Sequence, residues 1–185
     1  SNNWMKGFDI YDYIDKNIVS KNKNNKYNFK FTYIGNIPSN YNFENSIILK
    51  PLDGKELVNE LHKHNIYITA SINEPGGNHQ NEGALCGLPM LYRDSGCLPE
   101  YCDGFGVKFK FDDFEKNLFR LIENYNHYSS KMTQYPNSAS NMNSNYYNLF
   151  TKLILNKKTI LKKRKFHERS FDNLTKFLKY SLSFI

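Results

Sequence analysis

No apolar run in this chain approaches the length of a membrane span, and no signal-peptide pattern opens it. A membrane-spanning protein is therefore not expected, and a cytoplasmic location is. Cysteine is scarce: Cys86, Cys97 and Cys102 are all there is, and they form no CxxC pair. An odd count without framework spacing excludes a disulfide scaffold and points to a reducing compartment. It also leaves no zinc-binding pattern, so no metal site is expected. There is no internal repeat, which excludes solenoids and propellers. Acidic residues are too few to balance the basic ones, 18 against 25, giving a net charge of +7. That excess raises nucleic acid, anionic lipid or phosphate-rich ligands as partners. Much of it follows from a composition rich in Asn, Lys, Tyr, Ile and Phe, as A/T-rich coding sequence produces. With no recognised nucleic-acid-binding motif, nucleic acid is not the expected partner. A length of 185 residues suffices for one domain with a core, plus a tail. The chain opens on Ser1, so a processed, trimmed or incomplete N-terminus is expected.

Residues 7–19 read as a helix, with Phe8, Ile10, Tyr11 and Ile14 at its apolar positions. An Asn/Lys-rich turn follows at 21–28. Phe29, Phe31, Tyr33 and Ile34 suggest a strand ending at Gly35, and residues 47–49 form a second apolar run. Asp53 and Glu56 have capping-box spacing ahead of Leu57 and Leu61, which predicts a helix start. Residues 66–70 fit a buried strand, followed by a glycine-rich loop. Asn78 is placed to cap a helix ending near Cys86, with Gly87 just beyond. Residues 89–92 and 105–109 are further strand candidates. Residues 112–128 make an amphipathic helix through Phe114, Leu118, Phe119, Leu121 and Ile122.

Strands and helices thus alternate. The expected fold is α/β: a Rossmann-like parallel sheet with helices on both faces, over residues 1–128. Beyond, residues 129–145 read as a linker or weak helix start, and 146–165 as a helix with a strongly basic end. Residues 129–185 are expected as a linker and basic C-terminal helices.

Parallel sheets take ligands at the carboxyl ends of their strands. That selects the loops at 35–38, 71–78 and 94–98, with Gly35, Asn36, Ser95 and Gly96 as candidates. The most informative string is Ser71-Ile-Asn-Glu74-Pro-Gly76-Gly77-Asn78-His79-Gln-Asn-Glu82. It reads as a strand end, a glycine turn and a helix start. Free amides and the helix dipole at such a place favour an anion such as diphosphate. Gly76 and Gly77 permit close backbone approach. Glu74 and Glu82 flank the turn. Carboxylates there repel phosphate, so they are better suited to accept hydrogen bonds from hydroxyls. A nucleoside-diphosphate sugar combines these features.

The spacing of Glu74 and Glu82 resembles the E-x7-E motif of retaining GT-B glycosyltransferases, and the chain is similar to glycosyltransferase family 4. Gly87-Leu-Pro-Met-Leu resembles that family's G-x-P strand entry. Ser95-Gly96 and Pro99-Glu100 resemble its next loop, and Lys6-Gly7 resembles the start of its donor-domain first helix. The similarity covers residues 5–125. It implies a single GT-B half that binds the sugar donor. Glu74 then contacts the transferred sugar, Glu82 holds the ribose, and Lys6 neutralises the diphosphate. Amides at Gly76, Gly77 and Asn78, with His79 nearby, hold phosphate or sugar oxygens. It further implies retention of configuration, no obligatory metal and no cofactor, with a glycan, lipid or small acceptor. The chain departs from the family in three ways. The usual Arg before Lys-Gly is missing, and residues 1–5 leave no room for the strand that carries it, although Asn2 and Asn3 are polar. Pro75-Gly76-Gly77 replaces Gly-Phe-Gly. The acceptor domain is absent, so weak or incomplete activity is expected of this chain alone.

Plainer readings stand beside these. Glu82 complements a helix dipole, Glu74 is turn chemistry, Lys6 is solvated, and His79 is structural. Arg93 and Ser95, which could instead face the nucleotide, form a turn, and Cys86 packs a helix. The basic tail is a solvated helix or lies on an anionic membrane surface, which would make the protein peripheral there. The competing function is a non-catalytic basic α/β module that binds nucleic acid or an anionic surface.

Overall fold

The computed structural model describes residues 4–21 and 27–163. Asn2, Asn3, most of the 21–28 turn, and the basic end from residue 164 onward lie outside the described residues. The chain divides into two compact units, residues 1–138 and 139–185.

In the first unit a 3₁₀ turn at Trp4–Lys6 leads through Gly7 into α1 (Phe8–Tyr13), which runs on as a π-helical stretch, Ile14–Val19. Then come β1 (Thr32–Ile34), β2 (Ile47–Leu49), α2 (Gly54–Leu61), β3 (Tyr67–Thr69), α3 (His79–Leu85) and β4 (Met90–Arg93). They are followed by α4 (Leu98–Cys102), β5 (Gly106–Phe109), α5 (Phe114–Glu123) and α6 (Tyr125–Lys131). All pairings are parallel. They build two small sheets, β1-β2 and β3-β4-β5. The architecture is Rossmann-like α/β. The single sheet expected from the alternation is instead divided, because β1 and β3 do not pair.

The larger sheet is covered on both faces, as parallel sheets require. On one face Leu91, Val107 and Phe109 pack with Ile10 and Ile14 from the first helix and with Phe114, Leu118 and Leu121 of α5. On the other, Met90 and Tyr92 pack with Ala84, Leu98, Cys102, Met132 and Tyr135. Met132 and Tyr135 fall in the stretch read as linker, yet both are buried. Their apolar side chains close the second face.

Other differences are local. Residues 112–128 do not form one helix, because Asn124 leaves the helical basin (φ −107°, ψ 21°) and its side chain bonds back to the Arg120 carbonyl at 2.8 Å. Asp53 stands at the N-cap of α2 without a side-chain capping bond. Arg93 belongs to β4 rather than to a turn.

The second unit contains α7 (Ala139–Leu155) and α8 (Lys157–Lys163). Neither has a buried residue. Among the described residues no helix is long and apolar enough to cross a membrane.

Candidate functional site

Gly7 sets the entry of the first helix. Its φ of 75° favours glycine, and a β-carbon there would collide with the Ala70 backbone. The missing side chain lets the start of α1 lie against the carboxyl end of β3. Ile72 N–H donates to the Met5 carbonyl at 2.6 Å and closes the junction. Tyr11 Oη accepts from Ala70 N–H at 3.2 Å. Arg93, buried on β4, grips both Asp9 carboxylate oxygens and donates to the Ala70 carbonyl at 3.2 Å. Residues 5–11 are thereby pinned to the ends of β3 and β4.

The glycine loop is built on this platform. Asn73 is left-handed, with φ 52°, and its N–H donates to Ser95 Oγ at 2.8 Å. Cys97 N–H donates to the Glu74 carbonyl at 2.8 Å. Gly96, at φ 58°, passes so close to Glu74 that a β-carbon would strike its backbone. The loops at 71–78 and 94–98 are therefore stitched into one surface.

That surface brings several expected residues together. Lys6 Nζ lies 3.4 Å from Glu74 Oε2. The Glu74 side chain is 11% exposed and the Lys6 side chain 50%, so the pair straddles the solvent boundary. His79 Nε2 stands 3.8 Å from Glu74 Oε2, too far for a hydrogen bond, while Nδ1 meets Tyr67 Oη at 3.3 Å. Burial holds the His79 pKa below the ordinary imidazole range. The Glu74 charge opposes that and Lys6 reinforces it. His79 is accordingly neutral at pH 7. Gly77 fits beneath both side chains, since a β-carbon would lie 2.9 Å from the His79 ring and 3.1 Å from the Glu74 carboxyl carbon.

Glu82 lies one turn into α3, exposed, with its N–H bonded to the Asn78 carbonyl at 3.1 Å. It shares a cavity wall with His79 and Tyr67. Burial pushes the Tyr67 phenol far above its usual pKa, and the Glu82 charge adds to the effect. His79 faces Glu74 through Nε2 and also lines the cavity that Glu82 lines, whereas Glu74 and Lys6 do not line that cavity.

Two expectations are corrected. The Gly77 amide is not free, because it faces the Cys97 sulfur. Asn78 occupies the N-cap but sits in the right-handed helical basin and makes no side-chain capping bond; Gln80 Nε2 folds back on the Gly77 carbonyl instead. Gly35 and Asn36 stand apart. The Gly35 N–H goes to the Leu49 carbonyl at 3.0 Å, Asn36 is exposed, and no hydrogen bond or ion pair joins either to Glu74 or Lys6 among the described residues.

Asp9, Tyr11, Cys97 and Gln80 support the site but had no motif to mark them. One signal was present. Arg93 ends an apolar run, and a charge inside a buried strand needs a partner. Chemically, the site offers one half-exposed cation, one shielded carboxylate and one neutral imidazole beside a glycine turn. Among the described residues, no group of three or more His, Cys, Asp or Glu side chains could hold a metal ion. Compared with known proteins, the chain matches no family model, and no curated protein matches it significantly.

Proposed function

We propose that this surface binds a nucleoside-diphosphate sugar and that the chain is the donor-binding half of a retaining GT-B hexosyltransferase. The observation that carries the reading is the cluster of Lys6, Glu74 and His79 over Gly77 at the carboxyl end of β3. Parallel α/β sheets use that end for ligands. In this reading Lys6 swings from Glu74 to the diphosphate, where its charge stabilises the leaving group. Glu74, released from the ion pair, accepts hydrogen bonds from the sugar. Glu82 accepts them from the ribose, and neutral His79 donates through Nε2 or accepts according to its tautomer. The acceptor is a glycan, a lipid or a small molecule. The proposed location is the cytoplasm, with peripheral contact at an anionic membrane through the exposed lysines of α8.

Titration calorimetry with UDP-, GDP- and ADP-sugars tests the reading. One of the three is expected to bind. Glu82→Ala is expected to weaken that binding by roughly 1.5–3 kcal/mol, the worth of a hydrogen bond to a charged group. Unchanged affinity in that variant removes the ribose assignment, and no heat with any donor overturns the reading. Salt-sensitive DNA binding in place of donor binding would favour the basic module.

A further inference from the structure

The basic charge of the chain is not spread evenly. Residues 1–138 carry 15 Lys and Arg against 16 Asp and Glu, a net of −1, whereas residues 139–185 carry ten against two, a net of +8. The α/β unit is thus close to neutral, and the excess of +7 comes from the second unit. Across that unit's described residues, 139–163, the sequence has five lysines and no acidic side chain. Like charges gathered in this way repel one another in water and are drawn to an anionic partner.

α7 adds a second, independent feature. Met142, Tyr146, Leu149, Phe150 and Leu153 recur at i, i+4, i+7, i+8 and i+11, which sets them along one stripe of the helix. All five are between 44% and 56% exposed. The rings of Tyr146 and Phe150 stack along the stripe, 6.0 Å apart. Tyr147 and Ile154 widen it on one flank and are more exposed still. The opposite face holds Asn141, Ser144, Asn145, Asn148 and Thr151, all uncharged, with Lys152 beside them. Asn156 carries the helical hydrogen bonding onward. Its N–H donates to the Lys152 carbonyl at 3.1 Å, and its carbonyl accepts from Ile160 N–H at 2.9 Å. The exposed Lys157, Lys158, Lys162 and Lys163 of α8 therefore follow directly on the apolar helix.

We propose that the second unit docks on an anionic phospholipid surface, with α7 lying in the plane of the interface. The apolar stripe enters the boundary between head groups and acyl chains, and the α8 lysines meet the head-group charges. Chemistry selects this occupant. Two copies joined stripe to stripe would bring together the lysines of both, with no acid in residues 139–163 to balance them. A nucleic acid would satisfy the lysines and leave the stripe in water. An anionic bilayer offers apolar depth directly beneath a negative surface. α7 lies on it and does not span it, because no described helix is long and apolar enough to cross. The uncharged polar face divides the roles: α7 supplies the depth, α8 the attraction. This goes beyond the lysine contact proposed above, and it holds whether or not a sugar donor binds.

The test uses the full 185-residue chain in sedimentation with two kinds of vesicle. One is phosphatidylcholine alone, the other phosphatidylcholine and phosphatidylserine in equal parts. Partition onto the anionic vesicles is expected to exceed that onto the neutral ones at least about tenfold. Two variants separate the features, and both alter only exposed side chains. Phe150→Ser with Leu153→Ser is expected to lower partition onto anionic vesicles at least about tenfold. Exchange of Lys157, Lys158, Lys162 and Lys163 for Gln is expected to lower it by a similar factor, about tenfold or more, and to remove most of its salt dependence. Depth is read by Leu153→Trp in a Trp4→Phe background, which leaves one indole in the chain. Lipids brominated on their acyl chains are expected to quench it. No preference for anionic vesicles overturns the proposal. So does a serine variant that partitions like the parent chain, or an indole at 153 that the acyl bromines leave unquenched, since the contact would then be ionic only. Self-association without vesicles, abolished by the serine substitutions, would assign the stripe to a second copy and overturn it. DNA binding tighter than vesicle binding would assign the lysines to nucleic acid and overturn it too. None of these outcomes depends on calorimetry with sugar donors, so the two proposals fail separately.

Discussion

Strand β4 is buried at all four of its positions, whereas β1 is half-buried throughout and β2 leaves Ile47 52% exposed. Both belong to parallel sheets built from short apolar runs, so composition does not separate them. Position does. β4 has a strand on each edge and helices on each face, while among the described residues β1 pairs only with β2 and also lines a cavity. Burial in this molecule is conferred by what surrounds a strand more than by the strand's own sequence. Of the residues proposed to bind ligand, Glu74 lies on the loop that follows β3 of the well-covered sheet, His79 and Glu82 on the helix after it, and Lys6 in the turn that leads into α1.

The largest expected effect breaks or keeps that contrast directly. Phe109→Ala on β5 removes a ring that is 1% exposed and packed edge-on to Phe114 at 5.0 Å. A loss of roughly 3–5 kcal/mol is expected in urea unfolding, against less than about 1 kcal/mol for Ile47→Ala. Equal losses would mean that the two sheets are equally covered.

The small sheet does have one strong tie. Asp15 is fully buried beneath the turn that leads into β2. It accepts from Glu44 N–H at 3.0 Å, Asn45 N–H at 2.9 Å and Ser46 Oγ at 2.6 Å. Burial raises its pKa, yet these hydrogen bonds together outweigh burial and hold it below the ordinary carboxylate range. Asp15→Ala leaves buried donors without an acceptor and is expected to cost about 3 kcal/mol. The sign in pH follows from the depressed pKa. The contribution is present above the unfolded value, near about 4, and is lost as pH falls through the lower folded value. An acid limb no different from that of Asp15→Ala would show that the carboxylate is not the tie.

The two sheets also differ in how far they were legible beforehand. The strand runs at 47–49, 66–70 and 89–92 were readable, because β-branched and aromatic residues bounded by Gly, Pro and polar residues leave few alternatives. Which strands pair was not readable. Local pattern cannot reveal that β1 and β3 face each other without bonding, since that depends on residues far apart. Pro99-Glu100 resembles a loop in the sequence, yet it opens α4, where Pro99 is at home in the first helical turn. At the site, Glu74 stands in the motif, Lys6 in the Lys-Gly resemblance and His79 between the two acids, and these three side chains lie near one another. The Asp9–Arg93 and Tyr11–Ala70 contacts span 84 and 59 residues and carry no local signature. The Gly35 loop was grouped with the site because every strand end in such a fold is a candidate, yet it lies on the other sheet.

Two glycines at the strand ends sharpen the comparison at a smaller scale. Gly96 has φ 58°, and its added β-carbon would meet the Glu74 backbone, which has no room to retreat. Gly35 has φ 145°, and its β-carbon would meet only the tip of the Tyr33 ring, at 3.2 Å. Gly96→Ala is expected to cost roughly 2–3 kcal/mol and to displace Glu74, and Gly35→Ala about 1 kcal/mol. Thermal unfolding measures both. The reverse order would mean that the loops after β3 and β4 are not stitched as described.

The smallest expected effect concerns His79, whose counterpart is missing at the end of β1. Burial lowers its pKa, Glu74 opposes and Lys6 reinforces the shift. Because the folded value lies below the unfolded one, the unfolded chain takes up the proton first as pH falls. Stability from this group is therefore complete above about pH 6.5 and declines below it until the folded site also titrates. With the side chain 32% exposed, solvent screens much of the effect. An NMR titration of the ring separates the contributions better than unfolding does. Lys6→Met is expected to raise the His79 pKa, and Glu74→Gln to lower it. His79→Gln is expected to flatten the dependence of stability on pH just below 6.5, where the ring would otherwise titrate. Identical ring titrations in the two single-charge variants would dissolve the cluster of Lys6, Glu74 and His79. The loop after β3 would then be no more a site than the loop after β1.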